Sequence, residues 1–128
     1  MMRYLLDTCA LIWLGMGGGE LSNDAKQRIK VASELHYSSI SAWEITRLQK
    51  EGKVVIPNTP DGFLADLEKL YGLSSISPDD NVMIRAAQLP NHHKDPADRI
   101  IIATAFIHDL VIITADAKFS LYGIRTLA

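Results

Sequence analysis

Asp95-Pro96-Ala97-Asp98-Arg99-Ile100-Ile101-Ile102-Ala103-Thr104-Ala105 opens a helix that continues to His108, and Leu110-Val111-Ile112-Ile113-Thr114 follows it almost at once. An aspartate before a proline, with a second acid in the first turn, is the chemistry of a helix N-terminus: the acids accept orphan backbone N–H groups and complement the macrodipole. The run after it is apolar and rich in β-branched residues, which read as a strand buried on both faces. A helix passing directly into such a strand is the repeating unit of an α/β chain.

The same unit recurs on either side. Arg3 to Leu6 is a short apolar run ending at Asp7, and Cys9, Ala10, Ile12, Trp13 and Leu14 then look helical until the glycines at 17 to 19. Ser22 is placed to cap a helix through about Ala32. His36 to Ile40 reads as a second strand, followed by Ser41 and a helix from Ala42 to Glu51 that Gly52 stops. Phe63 to Tyr71 carries apolar residues at helical spacing and ends at Gly72. Leu73 to Ile76 is a third strand, Ser77-Pro78-Asp79-Asp80 opens a helix to Leu89, and Ile124 to Leu127 adds an edge strand. Parallel strands need crossover helices. The expected architecture is therefore α/β: a single domain over residues 1–128, with a parallel sheet of four to five strands and helices on both faces.

Composition narrows the function. The chain has 128 residues, 48 % of them apolar, which excludes a disordered chain. Thirteen Lys and Arg face fifteen Asp and Glu, a net charge of −2, so a polyanion would have to be held by a local basic patch or by metal ions. Cys9 is the only cysteine, which excludes an internal disulfide or thiolate zinc site and fits a reducing cytoplasm. Asp7 interrupts the apolar N-terminal stretch, and no run approaches the ~20 residues of a membrane span. The expectation is a cytoplasmic, unprocessed protein without membrane contact.

Asp7, Glu44, Asp98 and Asp116 share a position type, each just past an apolar strand or in the first turns of a helix facing that edge. Ligand sites of open parallel sheets form along that edge. Carboxylates converging there would repel one another, and a hard divalent cation, which takes oxygen ligands, is the usual remedy. Each acid also has a local reading. Asp7 could cap the following helix, Ser41-x-x-Glu44 has the form of a capping box, Asp98 could serve the macrodipole, and Asp116 could make an Asx turn.

The wording around these acids resembles a known family. Leu5-Leu6-Asp7-Thr8, Ser41-Ala42-Trp43-Glu44-Ile45, Asp95 to Ala105 and Ile113-Thr114-Ala115-Asp116 are similar, in order, to the motifs of PIN-domain nucleases, especially the VapC-type toxins of bacterial toxin–antitoxin pairs. The resemblance implies a Mg²⁺- or Mn²⁺-dependent endoribonuclease whose acid positions match Asp7, Glu44, Asp98 and Asp116. It also implies polar neighbours at Thr8 and Thr114, a homodimer, and a cognate antitoxin as partner. On that basis Asp7 and Asp98 hold a cation, with Glu44 and Asp116 as closer or water-mediated partners, and the cation activates water on the RNA phosphodiester. Asp95 stands close enough to Asp98 to compete for the third acid position; Asp98 is taken because it immediately precedes Arg99 and the Ile100–Ala105 helix.

With the four acids set aside, eleven remain against thirteen bases, a mildly basic scaffold. Arg47, Lys50 and Lys53 recur every third residue after Glu44, a stripe for RNA phosphates or a plain solvated face. Arg99 is expected to touch phosphate or pair with a site carboxylate. His92-His93 reads as polar linker, Cys9 as core, and Trp13 and Trp43 as packing residues. Ile12, Trp13, Leu14 and Met16 crowd a short helix and suggest a partly exposed apolar patch for a second copy or partner. Two other readings are a catalytically idle PIN fold that binds RNA or protein, and a receiver-like phosphoacceptor domain.

Overall fold

The computed structural model describes residues 2–128, and Met1 lies outside the description. Five parallel strands form one sheet in the order β3-β2-β1-β4-β5: β1 (Arg3–Leu6), β2 (Glu34–Ser38), β3 (Ser74–Ile76), β4 (Val111–Ile113) and β5 (Thr126–Leu127). Among the described residues six α-helices connect them: α1 (Thr8–Gly15), α2 (Asn23–Val31), α3 (Ile40–Lys50), α4 (Pro60–Tyr71), α5 (Asp80–Gln88) and α6 (Pro96–His108). A 3₁₀ helix, Ala117–Tyr122, leads into β5. Receiver domains order their strands 2-1-3-4-5, so this topology removes the receiver-like reading.

The pleat divides the core. Tyr4 and Leu6 of β1, with Val111 and Ile113 of β4, pack toward α1, α2 and α4, whereas Leu5 and Ile112 pack on the other face against Ile101, Ile102 and Ala105 of α6. Adjacent residues point to opposite faces, and both faces are covered, so the central strands are apolar throughout.

Several local readings shift. β2 begins two residues earlier than expected and ends at Ser38, because α3 already starts at Ile40, whose N–H donates to Ser38 Oγ at 3.2 Å. Ser41-x-x-Glu44 is therefore not a capping box; both residues lie inside the helix. α5 is capped by Asp79, whose side chain accepts the Val82 N–H, leaving Pro78 outside the first turn. The expected apolar patch on α1 is mostly consumed by packing: Ile12 and Leu14 are buried, Trp13 is half-buried, and of the four only Met16, at 50 %, is exposed. α4 covers that helix so closely that a Cβ on Gly15 would fall 2.2 Å from the Phe63 ring.

After β1 the chain winds outward to β2 and β3, then returns across the sheet to β4. The switch point thus lies between β1 and β4, where carboxyl-end crevices form. Asp7 and Thr114 are the residues immediately beyond those two strand ends.

Candidate active site

Four stretches converge on that crevice. Asp7, Glu44, Asp98 and Asp116 line one cavity of about 190 Å³ together with Asp95, Thr8 and Cys9, and no Lys or Arg lines it among the described residues. Asp7 and Glu44 are buried, at 5 % and 7 % exposure.

Each acid is fixed by its own element. Asp7 caps α1, its Oδ1 accepting the Ala10 N–H at 2.8 Å, while its Oδ2 accepts the Thr114 hydroxyl at 2.5 Å. Glu44 projects from α3, and its Oε1 accepts the Thr8 hydroxyl. Since Thr8 spends its hydrogen on Glu44, the Ser41 hydroxyl, 2.8 Å away, must donate to Thr8 Oγ1. Asp98 lies in the first turn of α6, whose cap is Asp95, accepting the Ala97 N–H at 2.9 Å. Asp116 makes the Asx turn considered above: Oδ1 accepts the Lys118 N–H at 2.9 Å, and its own N–H donates to Thr114 Oγ1 at 3.0 Å. Local capping and convergence are thus roles of the same carboxylates.

The electrostatics follow from crowding. Burial pushes the Asp7 carboxyl above its ordinary value, against the hydrogen bonds from Thr114 and Ala10. Glu44 is raised by burial too. Asp98 is pushed up to about 7, first by burial and then by the neighbouring Asp95 charge, with His93 opposing. Asp116 alone moves down: its slight burial is outweighed by the Lys118 N–H and by His93. Three of four acids resist ionisation here, the signature of a site short of positive charge.

The closest grouping of possible ligand atoms is His93, Asp98 and Asp116, all within 4.8 Å of one another; Asp7 and Glu44 line the same cavity outside that group. His93 Nε2 lies 3.0 Å from Asp98 Oδ2 and 2.9 Å from Asp116 Oδ2. The reading of His92-His93 as polar linker is corrected for His93.

The PIN domain family profile matches residues 4–124. The chain belongs to the PIN domain family. It is 31 % identical over 119 residues to Ribonuclease VapC22 of Mycobacterium tuberculosis, covering 92 % of this chain and 90 % of that protein. Its fold resembles that in the DNA-bound VapBC structure from Salmonella typhimurium, with a TM-score of 0.70 at 23 % identity, covering 99 % of this chain and 98 % of that one. It also resembles VapBC2 from Rickettsia felis bound to a promoter DNA fragment, with a TM-score of 0.69 at 15 % identity and 98 % coverage of both chains.

Other candidates in this PIN domain sit differently from expectation. Arg99 pairs with no carboxylate; its guanidinium donates to the carbonyls of Leu89 at 2.7 Å, Pro90 at 3.0 Å and His93 at 3.1 Å, with Ala87 at 3.4 Å. Cys9 is not core: it is exposed on the cavity rim, where partial burial of the thiol and then the carboxylates of Asp7, Asp98, Glu44 and Asp116 push it up to about 11. Trp43 is 58 % exposed rather than packed, and Arg47 lies over its ring at 5.3 Å. The two line an adjoining groove of about 740 Å³ with Lys94 and Asp95. The basic stripe is shorter than its spacing suggested. α3 ends at Lys50, so Lys53 lies beyond the turn, where it and Arg47 both pair with Glu51 at 3.1 and 2.9 Å. Among the described residues no helix is long and apolar enough to cross a membrane.

Proposed function

We propose that this PIN domain is an endoribonuclease that hydrolyses RNA phosphodiester bonds with a divalent cation, Mg²⁺ or Mn²⁺, and that it is the toxin of a toxin–antitoxin pair. One observation carries the reading: four carboxylates from four separate stretches line a single cavity that no Lys or Arg side chain lines among the described residues. An all-oxygen acidic donor set fits a hard cation. Asp7, Glu44, Asp98 and Asp116 would hold it. When bound, such an ion lowers the pKa of a coordinated water and neutralises charge on the scissile phosphate.

The chain's own residues prepare the site. Thr114 and Thr8 fix the carboxylate planes of Asp7 and Glu44 by donating hydroxyls to them, and Ser41 in turn fixes Thr8. The backbone of Lys118 does the same for Asp116. Acids held this way converge without rearrangement, the preorganisation that electrostatic catalysis needs. Arg47 and Lys50 on α3, with Lys53 beyond it, supply positive charge that can follow an RNA backbone away from the acids.

The relative named a ribonuclease and the neighbours solved as VapBC complexes support the same role, including a cognate antitoxin as partner, and the family resemblance in the sequence adds a second copy of the chain to the proposal. The test is cleavage of single-stranded RNA by the purified protein in EDTA, then after addition of Mg²⁺ or Mn²⁺. Cutting that requires the cation is expected; undiminished cutting in EDTA would overturn the reading.

A further inference from the structure

His93 lies outside the four acids, yet it is held from several sides. Its backbone N–H donates to Tyr122 Oη at 2.7 Å, its carbonyl accepts from Arg99 Nη1 at 3.1 Å, and its ring meets Phe119 edge-on at 5.8 Å. The side chain is only 12 % exposed. A loop histidine fixed by so many contacts is placed for a purpose other than solvation.

The ring's other contact decides what Nε2 does. Nδ1 accepts the Asp95 N–H at 3.3 Å. A nitrogen that accepts carries no hydrogen, so in the neutral ring the hydrogen is on Nε2. Nε2 therefore donates, its acceptor being Asp116 Oδ2 at 2.9 Å, while Asp98 Oδ2 lies 3.0 Å from the same nitrogen. A metal-ligating imidazole is arranged the other way: a bare nitrogen faces the metal and the opposite N–H is given to an acceptor. Here the opposite nitrogen faces a donor.

We infer that His93 is a positioning residue that clasps Asp98 and Asp116 together and competes with the divalent cation for the same two oxygens. The inference rests on the reading that these acids hold the cation. Neither acid needs the clasp to stay in place. Asp116 is anchored through the Lys118 N–H and Thr114 Oγ1, and Asp98 belongs to the capped first turn of α6. Removing the imidazole therefore frees their oxygens without scattering them. His93 sets cation affinity below what the acids alone would give, so the site fills at a higher metal concentration.

The test is isothermal titration of Mn²⁺ into the wild-type protein, His93→Ala, His93→Phe and Asp98→Asn. His93→Phe preserves a ring against Phe119 and removes only the donor. Both His93 variants are expected to bind Mn²⁺ about tenfold more tightly, roughly the worth of one hydrogen bond to a charged group. Their melting temperatures in EDTA are expected to fall, and the gap to wild type to narrow when Mn²⁺ saturates. Equal or weaker Mn²⁺ binding by folded His93→Phe overturns the clasp. Wild-type Mn²⁺ affinity in Asp98→Asn would instead overturn the acid-site reading itself.

Discussion

Thr114 donates its hydroxyl to Asp7 Oδ2 at 2.5 Å, tying the residue after β4 to the residue after β1, 107 positions earlier in the chain. These are the two strand ends at the topological switch point, so one hydrogen bond spans the carboxyl-end crevice of the sheet. The same Thr114 oxygen accepts the Asp116 N–H, and one side chain thus positions two acids.

Asp7→Asn should separate catalysis from stability. The amide oxygen can still cap α1 through Ala10, so the helix start is preserved, while a buried charge among like charges disappears. RNA cleavage is expected to fall by at least about 100-fold, about 2.7 kcal/mol of barrier. The melting temperature in EDTA should hold or rise. Comparison of initial cleavage rates and thermal melts checks both; retention of full activity would remove Asp7 from the machinery.

Asp98 gives a pH dependence of stability. Below pH 3.8, its ordinary value, folded and unfolded chains both hold the proton, and Asp98 contributes nothing. Between 3.8 and about 7 the folded chain keeps a proton that the unfolded chain releases, so this residue's contribution falls as pH rises and stays at its lowest above 7. Asp98→Asn cannot titrate. In EDTA its melting temperature relative to wild type should therefore climb from pH 4 to pH 7 and then level off. A constant difference across that range would contradict the raised value.

Arg99 is a structural clamp with a functional passenger. Arg99→Ala strips donors from the carbonyls of Leu89, Pro90 and His93, and is expected to cost about 1–3 kcal/mol by chemical denaturation. Arg99→Lys should recover little, because an ammonium cannot span carbonyls that the planar fork reaches together. Both variants should also loosen His93 and shift Mn²⁺ affinity in the same direction as His93→Ala.

Cys9 reports on the acids without taking part in the chemistry. A thiol pushed up to about 11 is mostly protonated at pH 8. Alkylation by iodoacetamide in EDTA should be more than about tenfold slower than for a free cysteine peptide, after allowing for the greater nucleophilicity of a basic thiolate. Alkylation at the peptide's rate, followed by mass spectrometry, would contradict the combination of partial burial and crowded negative field that raises the thiol.

The sheet and the four acid-bearing stretches were legible for a physical reason. Parallel strands buried on both faces read as apolar runs, and helix openings carry recognisable capping chemistry. Asp95-Pro96 did mark the start of α6, and Asp7 did follow directly on β1. His93 left no such trace. It reaches Asp98 and Asp116 through a loop shaped by Arg99, whose partners are backbone carbonyls and thus invisible in side-chain identities. Ser41-x-x-Glu44 misled because Ser38 supplies the oxygen near the start of α3, which frees Ser41 for Thr8. The apolar neighbours of Cys9 and Trp43 point to packing, but both fall where a helix turns its face to an open cavity, a distinction that spacing over one or two turns does not resolve.

The most direct measurement is anomalous diffraction from crystals grown or soaked in MnCl₂. The account predicts a manganese peak in the cavity beyond β1 and β4, at bonding distance from carboxylates among Asp7, Glu44, Asp98 and Asp116, and its loss in Asp98→Asn. A cavity without manganese at saturating concentration, or a peak held elsewhere on the molecule, would contradict it.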